Sequence, residues 1–309
     1  MPTTMTVNSN YIGNVAGEIT GAAFKEAQTI KENLVTVLPD IDFQMSLRKI
    51  SYTNGRVDYA CGFTPTGAVT LSEVLLTPKK IMNAQEICKE DLRQIWSSAS
   101  MGFSAHNDNM PKDVEAALLN EILMDTAQAT DLDLWQGVAA TTGRIGGFIE
   151  LFDADAGVIK ANNGITTLAG AITKANVQTE IEKVLEAVPV SLRRKKNTVF
   201  LVSSNVALAY EQALISAGIS NGMGGAEMNL AYGSTKITVV DALPDNTFVV
   251  YEVKNLYFGT GLLADHNEIR IKDMDESDLS GNVRYKMVYT GGVQYINPTE
   301  IVWYLSTTV

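Results

Sequence analysis

Histidine and cysteine, which supply most catalytic bases, nucleophiles and zinc ligands, are almost absent from this sequence. Its 309 residues include two histidines, His106 and His266, and two cysteines, Cys61 and Cys88. A Ser-His-Asp or Cys-His site needs a base beside its nucleophile, and zinc needs at least three protein ligands. These four residues are scattered along the chain and form no CxxC pair. The sequence therefore predicts no catalytic set, no metal site and no disulfide framework.

Phosphate-binding motifs are missing as well. The run Gly222, Met223, Gly224, Gly225 does not match GxGxxG, and no GxxxxGK[ST] loop occurs. The acidic residues at 273–278 lack the central glycine and distant glutamate of a calcium-binding EF-hand loop, so a solvated hairpin tip is predicted there. We therefore predict no cofactor and no enzyme activity. A soluble α/β enzyme is the alternative from a different class, and it lacks a candidate catalytic set.

Long apolar runs and an excess of positive charge are also lacking. No run approaches the roughly 20 residues of a membrane span, and residues 1–17 have neither the basic nor the apolar region of a signal peptide. We therefore expect cytosolic synthesis and no membrane partner. The net charge is −11, whereas a protein that grips nucleic acid over a broad face is normally basic. Tight DNA binding is not expected, although a container with a negative lumen would let DNA move without sticking.

The strongest positive signal is a long helix over residues 111–137. Pro111 suits the first turn of a helix, Asp113 and Glu115 complement the dipole there, and Gly137 is a typical C-terminal stop. At about 1.5 Å per residue this helix would be roughly 37 Å long, too long for a minor connector. Its expected apolar stripe consists of Val114, Leu118, Ile122, Ala129 and Leu132.

A long hairpin is predicted over residues 47–80. Asn54-Gly55 is a strong turn dipeptide, and apolar residues alternate with polar ones over 57–61, as in a half-exposed strand. The return strand runs through residues 69–76. A hairpin with so little apolar content must lie against its own subunit or a neighbouring one to be stable.

The other predicted elements alternate between helix and strand. Helices are expected at 22–38, where Pro39 ends the helix, at 177–188 and at 205–217, and a short helix is expected within 81–101. Strands are expected at 198–203, 237–240, 247–253, 268–271, 284–295 and 300–305, and loops with short strands at 138–175. The segment 218–233 is predicted to be a flexible glycine-rich loop. The single basic cluster, residues 193–196, is interpreted as a solvated turn that prevents edge pairing, in preference to a nucleic-acid or scaffold contact.

Four stretches occur in a fixed order along the chain: residues 75–81 (LLTPKKI) with 86–92 (EICKEDL), 111–137 ending in DLWQG, 199–204 (VFLVSS) before a helix, and 297–302 (NPTEIV). Their order and spacing resemble those of the tailed-bacteriophage major capsid proteins of the Hong Kong ninety-seven type, a fold shared with encapsulins. This resemblance implies an α+β fold with an N-terminal arm (1–46), an extended loop (47–80), a peripheral domain with the spine helix (81–149), an axial domain (150–262) and closing peripheral strands (263–309).

What the resemblance implies about function is a shell protein. The chain would form hexamers and pentamers of an icosahedral virion capsid, assembled in the host cytoplasm around double-stranded DNA that it does not bind specifically. A portal protein, and possibly a separate scaffold or decoration protein, would be its partners. An encapsulin-like compartment is the alternative. The arm starts almost at Met1, which leaves no room for a cleaved scaffolding segment, and no cross-linking pair can be assigned.

Two groups of residues are candidates for contacts between subunits. The hairpin tip and the residues after its return strand are expected to touch a neighbour, and the glycine-rich loop is expected near the capsomer axis, because glycine lets one sequence adapt to rings of two sizes. The first group is Asn54, Gly55, Arg56, Lys79 and Lys80, and the second is Gly222, Met223, Gly224 and Gly225.

Overall fold

The computed structural model describes residues 27–53, 55–59, 61–62, 66–89, 112–161, 171–218, 230–232, 235–261, 269–274 and 281–305, with the backbone alone at 112–119 and 269. Its helices are α1 (Gln28–Lys31), α2 (Lys112–Gln136), α3 (Phe148–Ala154), α4 (Val177–Ala187), α5 (Val190–Arg193) and α6 (Ser204–Ser216). Its strands are β1 (Thr36–Leu38), β2 (Met45–Thr53), β3 (Ala68–Leu76), β4 (Lys79–Cys88), β5 (Ile159–Lys160), β6 (Thr198–Val202), β7 (Ala231–Tyr232), β8 (Thr235–Val239), β9 (Thr247–Glu252), β10 (Leu256–Gly259), β11 (Ile269–Asp273), β12 (Asn282–Tyr295) and β13 (Ile301–Leu305).

Three sheets organise these strands. In the first, the long strand β12 pairs antiparallel with β4, β11 and β10, and β1 lies parallel to β10. The second has six strands in the order β5-β13-β9-β6-β8-β7. The third is the hairpin of β2 and β3. The closing strand β13 thus lies in the six-stranded sheet, whereas β10, from the segment assigned to the axial domain, lies in the first sheet.

The six-stranded sheet is buried on both faces. Phe248 and Val250 of β9 pack with helices α4 and α6 in one core, while Val249 and Tyr251 face a second core shared with α2, α3 and the first sheet. A strand covered on both sides has no polar face, which explains the uninterrupted apolar run in β9. This sheet therefore anchors the rest of the chain.

The predicted long helix is confirmed as α2, Lys112–Gln136. Val114 and Leu118 of the expected stripe lie outside the residues whose side chains are described. Farther along, the expected stripe is wrong, because Ala129 and Leu132 are exposed.

The buried face of α2 is instead partly polar. Ile122, Thr126 and Thr130 are buried at four-residue intervals, followed by Leu134 and Trp135, which are fully enclosed. The Thr130 hydroxyl donates a hydrogen bond to the Thr126 carbonyl at 2.8 Å, so it can be buried without losing a partner. Ile122 is thus buried as the predicted stripe requires, whereas counting apolar residues alone missed the buried threonines that follow it.

Gly137 does end α2 as predicted, but for a different reason. It lacks the positive φ of a left-handed cap. Instead, a Cβ at this position would collide with the Ile145 carbonyl oxygen and lie 2.5 Å from that of Asp133. The Gly147 amide also donates a hydrogen bond to the Gly137 carbonyl at 2.8 Å, which holds the segment around residues 145–147 against the end of α2. Glycine is required here by close backbone approach.

Two predicted helices are shorter than expected where the structure describes them, because strands occupy part of each segment. In the arm, the 22–38 prediction survives only as the single turn Gln28–Lys31, because Thr36–Leu38 pairs with β10. The segment 81–101, predicted to carry a short helix, is strand β4 up to Cys88, because residues 81–88 all pair with β12, and Lys89 is the first helical residue after it. Tertiary pairing overrides the local helical pattern in both places. Residues 22–26 and 90–101 lie outside the described part.

The helix α3 was missed within the glycine-rich segment 138–175. It has seven residues, and Phe148 and Phe152, one turn apart, are fully buried. So short a helix gives too few repeats for a periodic signal. The helices and strands predicted between residues 177 and 253, and at 284–295 and 300–305, are confirmed within about two residues at each end.

Candidate assembly surface

The predicted hairpin is confirmed, but its turn is not where the sequence suggested. Strands β2 and β3 pair from Met45 opposite Leu76 to Thr53 opposite Ala68. Residues 57–59, predicted as strand, lie beyond this ladder, and Tyr59 is almost fully exposed. The Thr66 hydroxyl donates a hydrogen bond to the Gly55 carbonyl, so the two segments of the chain are still close together just beyond the paired strands. The predicted two-residue turn is therefore wrong.

The two faces of the hairpin differ in chemistry. Ile50 lies opposite Leu71, and Tyr52 lies opposite Val69, so all four side chains share one face. They are between 61% and 72% exposed. We call this group the apolar hairpin face, defined by Ile50, Tyr52, Val69 and Leu71. Apolar side chains grouped in this way are unusual on a monomer and typical of a surface that another molecule covers.

The base of the hairpin packs on its own subunit through apolar contacts. Leu47 and Leu76 are buried in a small cluster with Ile41. A Cβ at Gly259 would collide with the Leu76 side chain and lie 2.8 Å from Ile41 Cδ1. Because the hairpin base occupies the space that a side chain at 259 would need, its root is fixed on the first sheet.

Polar contacts reinforce this base. Lys49 Nζ donates to Asn297 Oδ1 at 2.7 Å, and Gln294 Nε2 donates to the Leu75 carbonyl at 3.1 Å. Lys79 Nζ donates to the carbonyls of Ala139, Thr141 and Arg144 at 3.1, 3.2 and 2.7 Å. The root of the hairpin is thus tied to β12 and to the loop after α2, while its apolar face remains uncovered by the described residues.

The candidate contact residues occupy different environments. Arg56 lies beyond the ladder and is exposed, as is Lys80 at the start of β4. Lys79 is also exposed to solvent, but its ammonium group donates hydrogen bonds to backbone carbonyls of its own subunit. Asn54 lies outside the described residues. So does the whole glycine run expected near the capsomer axis, Gly222, Met223, Gly224 and Gly225.

In the basic cluster at 193–196, Arg193, Arg194 and Lys196 are exposed as in a solvated turn, whereas Lys195 is half-buried and paired. Lys195 Nζ lies 2.6 Å from Glu252 Oε2 and 2.7 Å from Glu300 Oε2. Burial opposes the charged lysine, but the two carboxylates outweigh it and raise the pKa of Lys195. Arg193 donates to the Leu185 carbonyl at 2.6 Å. The lysine thus joins β9 to the turn before β13, and charge counting alone could not reveal its partners.

A buried polar contact holds the end of the arm on the spine helix α2. The Thr29 amide donates to Asp131 Oδ1 at 3.2 Å, and Trp135 Nε1 donates to Thr29 Oγ1 at 2.9 Å. Thr29 is fully buried, and Asp131 nearly so. Burial raises the pKa of the Asp131 carboxyl above its ordinary value, although its hydrogen bonds to Thr29 oppose that shift.

Replacement of Asp131 by asparagine tests this contact through pH. A raised carboxyl pKa in the folded state means that Asp131 contributes most stability at low pH and loses that contribution as pH rises through the folded pKa. Asp131→Asn keeps an oxygen acceptor for Thr29 but carries no charge. We expect its free energy of unfolding at pH 7 to exceed that of the wild type, and the difference to shrink toward pH 4. Urea unfolding at both pH values measures this, and a difference that grows on acidification would contradict it.

No catalytic or metal-binding constellation is present among the described residues. No group of three or more His, Cys, Asp or Glu side chains in that part could hold a metal ion. Within the same residues, no helix is long and apolar enough to cross a membrane. His106 and His266 lie outside the described part.

Comparison with known proteins gives a match in structure only. No protein-family model matches the chain, and no curated protein is similar to it in sequence. Among solved structures, the capsid of a native GTA particle aligns at 13% identity with TM-score 0.67, covering 96% of each chain. The structure of Gordonia phage Cozz aligns at 14% identity and TM-score 0.60, over 97% of this chain and 92% of that one.

A third similar structure is the capsid of Myoviridae phage XM1, at 12% identity and TM-score 0.58, covering 96% of this chain and 97% of that one. Coverage is nearly complete, so the likeness concerns the whole architecture and not one sheet. The chain has the α+β Hong Kong ninety-seven type capsid fold, as the order of its sequence elements predicted.

Proposed function

We propose that this chain is a major capsid protein that assembles into the hexamers and pentamers of an icosahedral shell around the genome of a tailed double-stranded DNA phage. The observation that carries the proposal is the apolar hairpin face, presented on a fold that is also found in the capsids of a GTA particle and of phage XM1. The hairpin root is fixed by Lys49 and by the Leu47 and Leu76 cluster. A rigidly rooted hairpin can present its apolar face to a second subunit at little entropic cost.

The remaining parts of the proposal follow from a shell role. The division into arm, extended loop, peripheral domain and axial domain is proposed with the boundaries stated above. The axial loop around Gly222–Gly225 would lie at the capsomer axis, and Arg56 and Lys80 would contact neighbours. Partners would be other copies of the chain, a portal protein and possibly a separate scaffold or decoration protein. The shell would form in the host cytoplasm.

An encapsulin-like compartment and a soluble enzyme remain the alternatives. No particular observation favours either of them. Two of the similar structures named above are capsids, one of a GTA particle and one of phage XM1, and no group of three or more His, Cys, Asp or Glu side chains among the described residues could hold a metal ion. The three candidates differ in particle size and contents.

Negative-stain microscopy of the expressed, full-length chain tests the proposal. We expect closed shells tens of nanometres across, because a capsid subunit buries its apolar hairpin face only in an assembly. Particles of a single subunit size at high concentration would contradict it. Shells that copurify with one host protein as cargo would favour the compartment instead.

A further inference from the structure

A cluster of positive charge lies on one face of the first sheet, although the chain as a whole carries a net charge of −11. Arg270 lies opposite Lys286, and Lys272 lies opposite Arg284, on the neighbouring strands β11 and β12. Residues directly opposite each other in an antiparallel pair point to the same side. Lys80 of β4 lies opposite Thr290 and joins the same side. We call these five cations the basic sheet face.

This face is directed away from the core. Alternate residues of β12 point to opposite sides, and Val283, Tyr285, Met287 and Tyr289 are buried against the subunit interior. All five cations are exposed. The described residues include one carboxylate on this face, Glu86, which accepts from Arg284 at 3.2 Å. Positive charge therefore dominates the described part of the surface.

The surface is also concave. Two hollows lie along it, of about 870 and 570 Å³. Arg270 and Lys286 line both hollows, Lys272 and Arg284 line the larger one, and Lys80 lines the smaller one. Neighbouring strands are about 4.8 Å apart, and like-facing residues on one strand are about 6.7 Å apart. A ligand bound here would meet closely spaced cations on three strands.

The composition of the face favours a polyanion over another protein. Cores of protein interfaces are depleted in lysine and rich in apolar side chains, whereas the described part of this face has three lysines and two arginines beside the apolar residues Met82, Ala84, Met274 and Val288. The apolar hairpin face of a neighbouring subunit offers no negative charge to match it. Duplex DNA carries one negative charge per about 1.7 Å of helix axis, which suits a dense array of cations.

We propose that the basic sheet face binds the phosphate backbone of double-stranded DNA without sequence specificity. Its assignment to the packaged genome rests on the proposed capsid function, whereas the binding itself does not. Binding is confined to this face and is weak, because the rest of the acidic chain repels DNA. It depends strongly on salt, because it consists of contacts between cations and phosphates. With about four phosphate contacts, affinity should fall roughly 100-fold between 50 and 200 mM salt.

Fluorescence anisotropy of a labelled 30-base-pair duplex, titrated with unassembled full-length chain, tests the proposal. Lys272→Gln with Lys286→Gln removes two central cations. Lys174→Gln with Lys254→Gln makes the same change in charge at two exposed lysines elsewhere. We expect the first pair to weaken binding about tenfold at 50 mM salt and to reduce the salt slope by about two. The second pair should bind like the wild type, and circular dichroism confirms folding of both.

Three results would overturn the proposal. These are a wild-type chain that does not bind at 50 mM salt, equal loss of binding in both variants, and a first variant whose self-association changes while its DNA affinity does not. The last would assign the face to another copy of the chain. Shell formation is measured separately by microscopy. A chain that binds DNA through this face but forms no shells would keep the DNA site and refute the capsid function alone.

Discussion

Replacing Ile50 and Leu71 together by serine is expected to abolish shell formation while leaving the subunit folded. The two side chains face each other on the hairpin, and they are 72% and 61% exposed, so their loss removes little buried area from the subunit. In an assembled shell, burying each would contribute about 1.5–3 kcal/mol. A loss of about 3 kcal/mol per contact raises the concentration needed for assembly more than about 100-fold. Light scattering and microscopy at matched concentrations measure this.

The matched control lies on the opposite face of the same hairpin. Ser51 pairs with Thr70 one residue along the ladder, and both are exposed. Ser51→Ala with Thr70→Ala should assemble at wild-type concentrations with unchanged unfolding. Normal shells from the Ile50 and Leu71 variant would refute a role of the apolar hairpin face in assembly. A deletion of residues 53–74 should likewise give a folded protein that fails to assemble.

Replacing Gly137 by alanine is expected to cost the subunit about 3 kcal/mol of unfolding free energy or more, the upper range for overpacking. The new methyl group would collide with the Ile145 carbonyl and come within 2.5 Å of the Asp133 carbonyl. Both neighbours are backbone atoms, which cannot rotate away as a side chain could. The segment that contains Ile145 would have to move away from the end of α2, where Trp135 is fully buried. Urea unfolding of the full-length chain measures the loss.

Gly143 provides the comparison within the same connection. It has φ +79°, and a Cβ there would meet no atom within 4 Å. Asparagine tolerates this left-handed region, so Gly143→Asn should cost less than about 1 kcal/mol. Equal losses at both positions would mean that conformational freedom, and not close approach, makes glycine necessary at 137.

The order of helices and strands was predictable because most of these elements have a local pattern of apolar residues. Strands buried on both faces, such as Thr247–Glu252, appear as apolar runs, and the helix Val177–Ala187 has a clear apolar stripe. The strand Lys79–Cys88 and the arm strand Thr36–Leu38 were missed, because pairing with distant strands decides them. Short-range patterns do not contain those partners.

The candidate surfaces also depend partly on local sequence and partly on long-range strand pairing. The sequence by itself determined that a hairpin with too little apolar content for a core occurs near residue 50, that a helix of about 25 residues follows, and that catalytic chemistry lacks its usual residues. Only the tertiary structure decided that Ile50, Tyr52, Val69 and Leu71 share one face, and that Lys80, Arg270 and Lys286 come together on three strands. The reason is register: strands far apart in the chain meet through backbone hydrogen bonds, which are almost independent of side-chain identity. The position of each side chain therefore follows from the pairing of the whole sheet.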